Sequence, residues 1–260
     1  MGKFLVFLLF LDPVLPTALA QEPNKDEAPW TIKVGTGVLT ASRPWQDIDT
    51  ETAFLPYIEA SIGNWKFGVD NLISYQWELS KEWSMLAGIK YRSDGYDSNI
   101  LFDKLSDNQV FNNYESPDGE VIFNYRMKYD MFSFEVSQDI SDQTMSTAAN
   151  LTLDLPIYKS RQGMINISTS VQWYDSNYVN YYYGIEGNQV DNSVGRFAYQ
   201  TSSAINYGIK LDALYFINRS WFLVGSLGRE KLDDNILNSP LIDTDKTDAF
   251  SLLIVYQFRA

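Results

Sequence analysis

The last thirteen residues, Asp248 to Ala260, restrict the fold more than any other stretch of the chain. Phe250, Leu252, Ile254, Tyr256 and Phe258 fall on one face of an extended segment; Ser251, Leu253, Val255 and Gln257 fall on the other. A strict two-residue period marks a strand whose two faces meet different surroundings. The first face is too continuous and too aromatic for a strand that looks into water.

The same alternation recurs along the chain. Trp30, Ile32, Val34, Thr36 and Val38 oppose Lys33, Gly35 and Gly37, where glycine on an inner face relieves crowding. Near Phe54–Gly63, the residues Ile58, Ala60 and Ile62 oppose Tyr57, Glu59 and Ser61. From Trp65 to Leu79 the odd positions read as one very long strand or as two short ones broken near Asp70-Asn71. Further alternating segments start at Trp83, Val121, Phe132, Thr147, Gly163 and Ile205, whereas Ser220–Lys231 has no clear polar face and its orientation stays unassigned.

Segments of roughly ten residues have the length that crosses a bilayer when tilted. A soluble sandwich has strands of about 5–6 residues. It would also have to bury Lys33, Glu59, Lys66, Lys90, Arg92 and Arg126, and with them Lys128, Glu135, Asp154, Lys210 and Asp212. Each unpaired ion in such a core costs several kcal/mol. In a barrel those side chains face one another or lumenal water, and the nearly charge-free faces meet lipid. The expected fold is therefore all-β: a closed antiparallel transmembrane β-barrel with short periplasmic turns and longer polar loops. Both termini on one side require an even strand number. Splitting Trp65–Leu79, or counting the tyrosine-rich Tyr178–Ile185, gives about 12 strands. No helix-period stretch and no domain boundary is apparent.

The N-terminus supplies an address. Met1 to Lys3 is a short basic start, Phe4 to Leu11 an apolar run, and Ala18-Leu19-Ala20 a small-x-small site before Gln21. That pattern predicts a secretory signal peptide over 1–20, cleaved between Ala20 and Gln21, and a single barrel domain over 21–260. The apolar run is far short of the ~20 residues a spanning helix needs.

Composition then removes function classes. The net charge of −13 argues against nucleic acid, whose phosphates call for the opposite sign. The chain has no cysteine, hence no disulfide scaffold, and no histidine, hence no imidazole base, proton shuttle or metal ligand.

The segment Arg229-Glu-Lys-Leu-Asp-Asp-Asn-Ile-Leu-Asn-Ser-Pro-Leu-Ile-Asp243, with a strand ending Tyr256-Gln-Phe258, resembles the C-terminal signature of the MltA-interacting protein (MipA)/OmpV family. Tyr181-Tyr-Tyr-Gly-Ile185 and Ser193-Val-Gly195 resemble further elements of that family, as do the Gly-Thr-Gly strand, Pro44 and Pro56. Asn238 departs from the family's usual Asp, and Arg259-Ala260 extend past its usual terminal aromatic. The terminal strand also resembles the assembly signal of outer-membrane barrels, which implies that role for Ile254, Tyr256 and Phe258. The resemblance implies a cell outer-membrane protein with no catalytic residues. In some members it acts as a scaffold joining a lytic transglycosylase to a murein synthase; other members are porin-like or adhesive. Outer-membrane barrel enzymes resemble one another in using a catalytic His, so their chemistries do not carry over.

The expected function is thus a non-enzymatic scaffold, with a narrow porin-like channel or a surface adhesin as alternatives, and without cofactor or metal. Its expected partners are outer-membrane lipid and lipopolysaccharide, a lytic transglycosylase and a murein synthase. Asp233, Asp234, Asp243, Asp245 and Asp248 could gather a divalent cation, but their spacing matches no EF-type loop and favours a solvated hairpin. Tyr181–Tyr183 reads as loop packing or interface girdle before it reads as a stacking patch for a sugar or peptide. Lys159 and Arg161 sit beside a short connection, and Ser239 without a histidine is a poor nucleophile.

Overall fold

The computed structural model describes residues 29–48, 50–97 and 105–259. Ala20 and Gln21, where cleavage is expected, lie outside them. Among the described residues the strands are β1 (Thr31–Ala41), β2 (Glu51–Ile62), β3 (Trp65–Gly68), β4 (Ile73–Glu78), β5 (Trp83–Arg92) and β6 (Glu120–Tyr129). They continue as β7 (Phe132–Asp139), β8 (Thr147–Lys159), β9 (Gly163–Tyr174), β10 (Ala204–Phe216), β11 (Trp221–Lys231) and β12 (Lys246–Arg259). Each pairs antiparallel with the next, and β12 closes on β1 from Thr31↔Arg259 to Ala41↔Ala249. Closure of β12 on β1 removes the two end edges of the sheet, and β2 keeps an unpaired edge only above the short β3.

Alternation settles what each face meets. On β12, Phe250, Leu252 and Ile254 point outward and are exposed, while Ser251, Leu253 and Val255 point inward and are buried. On β1 the exposed Val34 and Val38 flank inward Gly35 and Gly37. Crowding explains the glycines: a Cβ on Gly37 would lie 2.0 Å from the Leu252 carbonyl oxygen and 2.8 Å from Leu253 Cα, both backbone atoms of β12. Gly37→Val should therefore force the closing seam apart and lower the urea-unfolding free energy in lipid vesicles by about 1–3 kcal/mol.

Two strand-level readings are resolved. Trp65–Leu79 is a hairpin of two short strands, turning at 69–72 where Gly68 N–H donates to the Asn71 carbonyl at 3.0 Å. The tyrosine-rich stretch is not a strand but a helix, α1 (Ser176–Tyr183), which corrects the expectation that the chain has no helical segment. Asp175 caps it by accepting from Tyr178 N–H. Eight residues give too little length for a helical period to stand out from alternation. A single turn, α2 (Asp234–Leu237), follows β11.

β11 was unreadable for a packing reason. Phe222 and Val224 point inward but join Leu39, Leu55, Leu214, Leu253 and Val255 in an apolar cluster that fills one side of the barrel interior. Its inner face is therefore as apolar as its outer face over half its length.

Short turns at 63–64, 79–82, 130–131, 160–162 and 217–220 lie at the end that carries both chain termini. Long connections lie at the other end, except the β3–β4 turn. Asp130, at φ 51°, makes the tight β6–β7 turn, in the left-handed region that Asp tolerates better than most residues.

Candidate functional site

The loop end of the barrel is packed shut. Trp45, Tyr96, Phe111, Tyr178, Tyr182 and Ile236 belong to one buried cluster assembled from four different connections. Tyr96 stacks on Phe111 at 3.8 Å, and Trp45 stacks on Tyr183 at 5.5 Å. The long polar connection over 93–118 thus contributes Tyr96, Val110 and Phe111 to a core. Helix α1 lies in the middle because its one face, Tyr178, Val179, Tyr182 and Tyr183, is wholly apolar or aromatic.

Beneath this cap sits a buried polar network. Glu120, at the start of β6, is 0% exposed, and its Oε1 lies 2.6 Å from Arg92 Nη2. The Tyr182 hydroxyl donates to the same oxygen at 3.3 Å, and the hydroxyls of Ser146 (3.1 Å) and Thr144 donate to Oε2. Arg92 also donates to Ser146 Oγ at 2.6 Å, and its guanidinium lies 4.7 Å from the centre of the Tyr178 ring. Tyr178 in turn donates to Asp94 Oδ2 at 2.6 Å. Burial pushes the Asp94 carboxyl up, against the opposing pull of Arg92 and the Tyr178 hydrogen bond. Burial also drives the Tyr178, Tyr182 and Tyr183 phenols above their ordinary range, so they stay protonated and remain donors. The hydroxyls of Tyr178, Tyr182, Thr144 and Ser146 each donate to a carboxylate. Such a closed network rigidifies and specifies a packing arrangement.

Two arginines tie the loops together. Arg43 donates to the Tyr96 carbonyl at 3.1 Å and to Glu51 at 2.7 Å. Arg196, 2% exposed, donates to the carbonyls of Gln189, Val110 and Asn112. Sequence reasoning missed Arg196 and Glu120, because a lone charge in a polar stretch carries no sign that its loop folds inward. The nearby Gly195, left-handed at φ 82°, was the available hint of a defined turn.

The expected candidates are dispersed by the fold. Asp233 caps α2 and accepts from Ile205 N–H, Asp243 accepts from Asp47 N–H, and Asp248 pairs with Arg229 at 2.6 Å. No group of three potential ligands converges among the described residues. Tyr182 and Tyr183 are loop packing, and Ser239 donates its hydroxyl to the Tyr183 carbonyl at 2.7 Å. Lys159 and Arg161 are exposed at the turn end, and Ile254, Tyr256 and Phe258 lie on the outward face of β12.

Below the cap, the lumen is a cavity of ≈ 1590 Å³. Asp94, Tyr178 and Tyr183 line its loop end; Lys81, Asp130, Arg161 and Arg219, all on short turns, line the other. The charges read from alternation do face inward, and most are paired. Lys33 meets Glu59 at 2.6 Å, Lys90 and Arg126 share Glu135, Lys128 faces Asp154 at 3.5 Å and Lys210 meets Asp212 at 3.1 Å. Lys66 donates at 2.7 Å to the neutral amide oxygen of Gln76. The arrangement is a cup sealed at one end and reaching the rim at the other.

The sequence profile of the family described as MltA-interacting protein MipA matches residues 34–258. The MltA-interacting protein of Escherichia coli (strain K12) is 22% identical over 249 residues, which cover 94% of this chain and 97% of that one. A second Escherichia coli (strain K12) chain, YiaT, whose name carries an outer-membrane label, is 21% identical over 265 residues, 97% of this chain and 98% of its own. Among solved structures, an outer membrane channel from Pseudomonas putida F1 aligns over 92% of this chain and 100% of that chain, at 11% identity and a TM-score of 0.38.

Proposed function

Because the chain belongs to the MltA-interacting protein MipA family, we propose that this outer-membrane barrel is a scaffold without chemistry of its own, joining a murein hydrolase to a murein synthase on the periplasmic side. The observation that carries this reading is the polarity of the cup. Short turns of bacterial outer-membrane barrels face the periplasm, so the end packed shut by α1 faces outward and the open rim faces the cell wall. The exposed turn residues Lys81, Lys159, Arg161 and Arg219 are then the groups a periplasmic partner meets first. Residues 1–20 would direct export, and Ile254, Tyr256 and Phe258 would be read during barrel assembly. The acidic loop residues Asp234 and Asp243 would meet lipopolysaccharide phosphates through bridging cations.

Chemical crosslinking in intact cells, followed by purification of the barrel, tests the scaffold. A lytic transglycosylase and a murein synthase should be recovered together, and recovery of neither would remove the reading. A narrow channel is favoured by one observation, that the lumen runs from the rim to the underside of the cap. In planar bilayers the cap should keep the intact protein silent; steady single-channel steps would transfer the proposal to transport.

A further inference from the structure

The wall of the barrel is incomplete. β2 pairs with β1 along its whole length but with β3 only from Glu59 to Ile62. The β3–β4 hairpin contains two residue pairs and turns at 69–72, and β5 meets β4 only from Ile89 toward the turn end. Above the hairpin, the edge of β2 from Glu51 to Ile58 faces the edge of β5 from Lys90 to Arg92, with no strand between them among the described residues. This notch is cut into the apolar belt. Phe54, Pro56 and Ile58 are register partners of Val38, Thr36 and Val34 on β1, which pair in turn with Leu252, Ile254 and Tyr256. Phe54 is 67% exposed and Ile58 58%.

Peptide groups on a free strand edge cannot be left in hydrocarbon; at that depth irregular or unpaired backbone survives only where it is covered by protein or lines a watery cavity. The lumenal cavity supplies the second condition at the foot of the notch, where it reaches Tyr57 and Ile58 of the β2 edge. It is lined there also by Lys66, Gly68, Val69, Asp70 and Asn71. We propose that the notch is a lateral portal in which a single-chain amphiphile with an anionic head docks, its chain against Phe54, Ile58 and Leu72 and its head inside at Lys66 and Asn71.

The head chemistry follows from two side chains. Lys66 has no carboxylate within salt-bridge distance among the described residues and meets only the Gln76 amide. Asn71 Oδ1 is buried without a hydrogen-bond partner, an acceptor suited to a head-group hydroxyl. A protein strand is the poorer occupant. Pro56 has no N–H to give to an added strand, a device that blunts edges, and the β5 edge is three residues long.

The cysteine-free chain makes the test clean. In lipid vesicles, Ile58→Cys should react with a water-soluble maleimide several-fold faster than Ile254→Cys on the fully paired β12, with Phe54→Cys as a second reporter. Both variants should keep the heat-modifiable mobility of the folded barrel. Native mass spectrometry of the barrel from nanodiscs doped with oleoyl-lysophosphatidylglycerol should show one bound molecule, weakened about tenfold by Lys66→Gln and kept by Lys66→Arg. Equal protection of the two cysteines would close the portal. Binding unchanged by Lys66→Gln, or matched by oleoyl-lysophosphatidylcholine, would overturn the anionic amphiphile. A stable dimer that protects Ile58→Cys from the reagent would assign the notch to a second copy of the chain. The scaffold reading survives all of these failures, since it depends on the periplasmic rim.

Discussion

Arg92→Met is expected to destabilise the folded barrel by about 3–5 kcal/mol, because it strands a buried carboxylate. Glu120 has 0% side-chain exposure and Arg92 6%, so neither can turn to water when the other is lost. The hydroxyls of Thr144, Ser146 and Tyr182 would still donate to Glu120, but they carry no charge to balance it. The same substitution removes the cation over the Tyr178 ring and the bond to Ser146, so α1 loses its seat on the barrel. Urea unfolding in lipid vesicles, followed by tryptophan fluorescence, reads the stability, and planar-bilayer recording reads the cap. Channel steps absent from the parent protein should appear in the variant. Arg92→Met combined with Glu120→Leu should recover much of the loss, since replacing both partners leaves no orphaned charge. An unchanged unfolding midpoint in the single variant would mean that water reaches Glu120 beneath the cap.

Ile254→Arg should cost about 2–4 kcal/mol, because it places a guanidinium on the lipid face near mid-membrane. Ile254 is outward and exposed between Thr36 of β1 and Leu223 of β11, so the substitution meets hydrocarbon and no carboxylate. It also strikes the seam that closes the barrel. The expected readout is a shift from the folded to the unfolded band in a detergent gel without heating, together with loss of outer-membrane yield. Ser170→Arg provides the control: this residue lines the lumen, where a cation finds water and neighbouring polar groups. Equal loss in both variants would show that charge is excluded from both faces and that the lumen is dry.

Much of the wall was legible because lipid imposes a simple rule. A side chain on the outer face must be apolar, so Phe250, Leu252 and Ile254 announce themselves however the rest of the chain folds. The rule fails where both faces are apolar, as at Phe222 and Val224, since alternation carries no contrast there. It also fails where a segment leaves the wall. Tyr178 to Tyr183 fits a strand by residue type, and only the Asp175 cap and the cluster waiting above the lumen make it α1. Glu120 and Arg196 were invisible for a related reason: they are held by connections dozens of residues away.

By itself the sequence determined the closed barrel, the sign of the wall faces outside β11 and the kinship with the MltA-interacting family, because these depend on period and on local motif. The tertiary structure alone decided that the long polar connections fold into a packed cap, that the lumen is a cup, and that the wall is notched above the β3–β4 hairpin. Those features arise from which loops meet over the barrel and where two short strands stop. Both are sums of long-range packing terms that no alternation of neighbouring side chains records.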